Sequence, residues 1–189
     1  MKLKMKLFKR KNSVAPFMQD QSGLAAVEFA MIFPMMIMLL LGTVELGNGI
    51  LANQKVIASS QIVADLLART EEVTDDQLSE AKRAGRMALA PFSTGDIGFD
   101  IVSFRFDPDN ADAGTEPQPV IVWRDTDNME AIADLEERVM PLALADEGAI
   151  VVFVEFPYEP PFGTSIVGHI DMLESTFTRG RKSAVVERN

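Results

Sequence analysis

Two glutamates, Glu28 and Glu45, bracket sixteen residues without a charge, FAMIFPMMIMLLLGTV from Phe29 to Val44. An ionised carboxylate in such surroundings is costly and normally has a partner, so both are candidates for a specific contact. Glu28 lies one turn into an apolar helix. Glu45 lies near the far end, where it either reaches lipid headgroups or makes a helix-helix contact. A third group of oxygens sits in DPDNADAG (Asp107 to Gly114), with Asp107, Asp109, Asn110 and Asp112 as candidate calcium ligands. That loop misses the helix-flanked twelve-residue EF-hand pattern and reads as a solvated turn. The single histidine, His169 in IVGHIDM, has no evident Ser or Asp relay in the sequence around it.

Other chemistries are excluded outright. With no cysteine there is no thiol nucleophile, zinc ribbon or disulfide framework, and one histidine rules out multi-His metal sites. No G-x-S-x-G, P-loop or G-x-G-x-x-G occurs. No catalytic residue, cofactor site or metal site is assigned, and the reading is that of a protein that is not an enzyme. A net charge of −10 argues against nucleic acid as a partner.

The element that must position the glutamates is a membrane helix. Extending the run from Leu24 to Leu46 gives 23 residues, about 34 Å of helix, enough to cross a bilayer. Met, Ile and Leu in near-unbroken succession leave no polar face for a soluble helix to turn to water. Pro34 inside the run is tolerated as a kink, because helix distortion and neighbouring helices satisfy the freed carbonyl. Gly42, Gly47 and Gly49 either admit a second helix or loosen the chain at the membrane surface. Up to Gly23 there are six basic residues and one acid; from Ala52 onward 12 basic residues face 25 acids. The positive-inside bias therefore puts the head in the cytoplasm and the remaining 138 residues outside. No A-x-A pattern follows the run, as a secretory signal peptide would require.

Around the start of the helix the chain reads SGLAAVEF, Ser22 to Phe29. This resembles prepilins whose leader is cut after a glycine, with glutamate as the fifth mature residue and phenylalanine next. The longer run GLAAVEFAMIFPMMIMLLLGTVELGNG is similar to the TadE-like domain of minor pseudopilins in the tight-adherence (Tad/Flp) pilus machinery. The later segment AIVVFVEFPYEPPF is similar to that family's late strand and Tyr/Pro turn. The resemblance implies cleavage by a prepilin peptidase between Gly23 and Leu24, with Glu28 and Phe29 contributing to recognition. Gly23 would let an extended backbone enter a narrow protease cleft. Glu28 would partner the amine freed at Leu24, on its own chain or a neighbour's, and Pro34 and Glu45 would contribute helix contacts. The implied setting is a bacterial inner membrane, crossed once, with the N-terminus cytoplasmic and the C-terminal domain periplasmic or pilus-associated. The implied partners are the peptidase, other Tad pseudopilins, inner-membrane pilus assembly proteins and the lipid bilayer.

The chain then divides into a basic leader (1–23), a transmembrane helix (24–50) and an exported domain with a polar tail (51–189). Ala52, Val56, Ser59, Val63, Leu66 and Leu67 recur at spacings of three and four, so the helix continues to about Arg69; the stripe suits packing on a sheet of its own chain, and a coiled contact with another subunit fits it too. TDDQ at Thr74 opens a second helix that stops before Pro91. Strands are predicted over Ile97–Phe106, with a bulge near Ile101 and Val102, then over Val120–Trp123, Ile150–Phe156 and Leu173–Thr178. Tyr158, between prolines, reads as an edge-strand ending and turn. Met129, Ile132, Leu135 and Val139 form a helical stripe, and the tail from Arg179 reads as partly ordered. The fold class is α+β, with a long N-terminal helix against a small antiparallel sheet.

Two other functions compete. A signal-anchored periplasmic binding or enzymatic domain would make SGLAAVEF coincidental and leave the N-terminus uncut. A pseudopilin of a type II-like secretion system would share the processing motif and differ in domain and partners.

Overall fold

A computed structural model describes residues 22–93, 95–107, 117–142, 147–164 and 168–189. The basic head and all but Asp107 of the oxygen-rich loop 107–114 lie outside the described residues. Two compact units divide the chain, Met1–Thr43 and Val44–Asn189, and each is described by itself.

In the first unit the described residues are helical from Ser22 onward. They belong to helix α1, Ser22–Leu67, which continues through Pro34 and into the second unit. The helix is long and apolar enough to cross a membrane, and the side chains of its apolar run are exposed.

The second unit is an α+β domain. Its elements after α1 are β1 (Glu72–Val73), α2 (Asp75–Ala88), β2 (Gly98–Asp107), β3 (Gln118–Asp127), α3 (Leu135–Val139), β4 (Gly148–Tyr158), β5 (Ile170–Thr178) and β6 (Glu187–Arg188). A four-stranded sheet runs in the order β3-β2-β4-β5, antiparallel throughout, while β1 and β6 pair in parallel.

The sheet is covered on both faces. Phe99 and Ile101 of β2, with Ile150, Val152, Val154 and Phe156 of β4, join Ala52, Val56, Val63, Ala64 and Leu67 of α1 in one core. The alternate residues Val102, Phe104, Phe106, Val151 and Phe153 pack on the other face with Leu135 and Val139. Double coverage explains why β2 reads as a change of phase near Ile101 and Val102. Its alternation is unbroken, and both sets of side chains are apolar because both are buried. The irregularity falls two residues later and belongs to the partner strand. Ser103 pairs with Trp123 and Phe104 with Ile121, leaving Val122 of β3 as the extra residue.

Small residues let α1 lie close to its neighbours. Ala52, Val56, Ser59, Val63 and Leu67 are buried as their spacing predicts, whereas Leu66 is 40% exposed, one residue and about 100° from the inner stripe. Helix α2 starts with a full capping box: the Thr74 side chain accepts from Gln77 N–H, and the Gln77 side chain accepts from Thr74 N–H. Leu78, Ala81 and Gly85 form its inner face.

Two expectations need correction. The stripe from Met129 to Val139 is helical only over Leu135–Val139, although Met129 and Ile132 still pack on the second core. The polar tail is built into the fold. Val186 is buried in the first core, and its carbonyl accepts from Ser103 Oγ at 2.7 Å and from Trp123 Nε1 at 2.8 Å. Arg181 N–H donates to the Ala68 carbonyl, and Arg188 pairs with Asp75. Buried backbone groups demand partners, and here a sequence of mostly polar side chains supplies them through its main chain.

Candidate functional site along the N-terminal helix

Gly23 is the second residue of α1, and among the described residues nothing lies within 4 Å of where its side chain would project. Leu24 and Phe29 are 62% and 59% exposed, and Glu28 is exposed between them. Four residues apart on one helix, Leu24 and Glu28 lie on the same face one turn from each other. Phe29 and Phe33, at the same spacing, bring their rings to 5.3 Å between centroids. Gly23, Leu24, Glu28 and Phe29 thus all lie on the first two turns of the helix, with Leu24 and Glu28 sharing a face and Phe29 turned away from Gly23. Pro34 follows on the same helix, and its missing N–H leaves the carbonyl of Ala30 without the usual partner.

At the other end of the apolar run, Glu45 has a contact invisible in the local sequence. Its Oε1 accepts the backbone N–H of Phe162 and that of Gly163, the latter at 2.7 Å. Backbone amides converging on one carboxylate oxygen are strong, charge-assisted donors. The turn so held is closed by Thr164 N–H donating to the Pro160 carbonyl at 3.2 Å, with the Thr164 hydroxyl on the same carbonyl.

Tyr158, the last residue of β4, packs behind this contact. It is 3% exposed, and a ring carbon lies 3.9 Å from where a Cβ on Gly49 would stand. A side chain at Gly49 would thus make only ordinary contact with Tyr158, while Gly42 and Gly47 meet nothing within 4 Å among the described residues. Burial pushes the Tyr158 phenol above its ordinary range, and the Glu45 charge adds to the effect. The Tyr158 hydroxyl and Glu45 Oε2 are both buried without a hydrogen-bond partner among the described residues. Residues 156–158 pair with β5 alone, because β2 reaches only Glu155 of β4. The edge reading of Pro157 and Tyr158 holds locally, on a strand that is otherwise interior.

His169 and Asp171 meet at the start of β5, with Nε2 3.5 Å from Oδ1 and both side chains about 60% exposed. Among the described residues no second acid-base group is paired with them. Among the described residues no group of three or more His, Cys, Asp or Glu is placed to hold a metal ion.

These features define a chain with one membrane-type helix leading into an α+β domain. Residues 23–65 match the family model described as TadE-like protein. The match begins at Gly23 and covers the apolar run together with most of the inner stripe that packs on the sheet. No curated protein and no solved structure matches the chain.

Proposed function

We propose that this chain is a membrane-anchored minor pseudopilin that acts in assembly or initiation of a Tad-type adhesive pilus and catalyses no reaction itself. The observation that carries the reading is the TadE-like match over residues 23–65, whose first residue is the glycine at which the leader would be cut. The basic head places the leader in the bacterial cytoplasm and the α+β domain in the periplasm by the positive-inside bias. Cleavage after Gly23 frees an amine at Leu24. Glu28, one turn along the helix, then supplies a carboxylate for that amine in its own chain or in a neighbour, which offsets the cost of holding a charge in lipid. The partners in this reading are the prepilin peptidase, other Tad pseudopilins and the inner-membrane assembly proteins.

The deciding experiment is mass spectrometry of the N-terminal residue of the membrane-extracted chain, made with and without the peptidase. A peptidase-dependent start at Leu24, abolished by Gly23→Ala, is the expected result. An intact head in cells with active peptidase would overturn it and leave an anchored periplasmic domain whose ligand or activity must be sought directly.

A further inference from the structure

The turn from Pro160 to Thr164 has an unusual hydrogen-bond inventory. Pro160 and Pro161 have no backbone N–H. The N–H groups of Phe162 and Gly163 both go to Glu45, and that of Thr164 goes to the Pro160 carbonyl. None of the five residues therefore presents a free backbone donor to solvent. Where water is scarce an unpaired amide is expensive, so a turn with none suits the boundary of a bilayer better than an ordinary surface loop does.

Its side chains and its depth agree with that setting. Phe162 is 58% exposed at the tip. The turn is clasped to Glu45, one residue before the end of the apolar run at Leu46, which is the level at which a spanning α1 would meet the polar layer. Leu46 and Ile50 on the adjoining helix are also exposed, at 71% and 61%. An apolar side chain such as that of Phe162 gains by burial at the boundary of headgroups and acyl chains.

We infer that the Pro160–Thr164 turn is a lipid-contacting foot, which seats Phe162 in the interfacial layer of the bilayer crossed by α1. The inference rests on the membrane-spanning part of the proposed function. Glu45 is the fastener: it makes the turn part of the helix exit, and the amides in return satisfy one oxygen, Oε1, of a carboxylate at the end of the apolar run. Lipid is favoured over a second copy of the chain because the turn is held at Glu45, beside the exposed Leu46 that ends the apolar run.

The test uses the full chain in bilayers of phosphatidylcholine and phosphatidylglycerol. The chain has no cysteine, so Phe162→Cys, Leu39→Cys and Met87→Cys each carry one nitroxide label. Collision with oxygen reports lipid, and collision with a water-soluble nickel chelate reports water. Leu39, within the run, is expected to be oxygen-rich and nickel-poor, and Met87, exposed on α2, the reverse. The label at 162 should exceed Met87 severalfold in the ratio of oxygen to nickel access. In the same background Glu45→Ala should sharpen the spectrum and move the label toward water. A label at 162 that behaves like Met87 while Leu39 reports lipid would overturn the foot and leave the span intact. Water exposure at Leu39 would overturn the span itself. A label at 162 shielded from both reagents and broadened as protein density rises would mean that a second copy covers the turn, and an unchanged spectrum with Glu45→Ala would refute the clasp.

Discussion

Trp123 and Val186 lie 63 residues apart and meet in the core, where the indole N–H donates to the Val186 carbonyl at 2.8 Å. Ser103 on the neighbouring strand donates to the same oxygen at 2.7 Å. Deleting Ala184–Asn189 removes the buried Val186 side chain and leaves two buried donors unsatisfied. Apolar burial of about 1.5–3 kcal/mol and about 1–3 kcal/mol for each of the two orphaned donors make the expected loss about 3.5–9 kcal/mol. Denaturation of the full chain in micelles, followed by the fluorescence of its single tryptophan, measures it directly. A truncated chain as stable as the parent would show that the tail contributes nothing.

Asp100 is wholly buried, and Arg124 meets it with Nε at 2.9 Å from Oδ1. The same pair holds Ile132, whose N–H donates to Asp100 and whose carbonyl accepts from Arg124. The Asp100 hydrogen bond, followed by its charge, outweighs burial and raises the Arg124 pKa, so the guanidinium stays charged across the workable range. Arg124→Met strands a buried carboxylate and should cost about 3–5 kcal/mol. Adding Asp100→Asn should recover part of that loss, since the amide is uncharged and keeps an oxygen for Ile132 N–H. Equal stability of the single and double variants would refute the account.

Much of this fold is legible where the chain repeats itself. The stripe Ala52, Val56, Ser59, Val63 and Leu67 has helical period, and the pair Thr74 and Gln77 carries its own capping chemistry. The tail is illegible for the opposite reason: β6 has two residues, too few for a period, and contributes through carbonyls and amides common to every residue. The clasp on Glu45 escapes for the same reason. Its donors are main-chain N–H groups 117 and 118 residues away, and a carboxylate at the end of an apolar run does not reveal what it will accept. The helical placement of Gly23 to Phe29 is local, since all these residues fall within two turns of one helix.

Gly85 lies on the inner face of α2, tight against α1 and β2. A Cβ there would stand 2.7 Å from Val63 Cγ2, 3.0 Å from Ser59 Oγ and 3.1 Å from Phe99 Cε1. Alanine gains helix propensity of about 1 kcal/mol but must push apart a core of β-branched and aromatic side chains, at about 1–3 kcal/mol. Gly85→Ala should therefore destabilise the domain by about 1 kcal/mol, and Gly85→Val by considerably more. Thermal denaturation of both variants tests the ordering, and a stabilised alanine variant would mean that α2 can move away at no cost.

Tyr158 offers a spectroscopic handle on the helix exit, because it is the only tyrosine in the chain. Burial first and the Glu45 charge second hold its phenol above the ordinary range. A phenol whose pKa is higher folded than unfolded favours the folded state while protonated. That contribution is complete below the unfolded pKa and is lost as pH rises through the folded value, so the domain should weaken on the alkaline side. Titration followed by tyrosinate absorbance should give an apparent pKa above that of the unfolded chain. Glu45→Gln should lower it part of the way by removing the smaller cause, and Tyr158→Phe should flatten the alkaline loss of stability. An unchanged titration in the Glu45 variant would place the carboxylate too far from the phenol for the contact described, and would also remove the ground for treating Glu45, Tyr158 and the Pro160–Thr164 turn as one assembly.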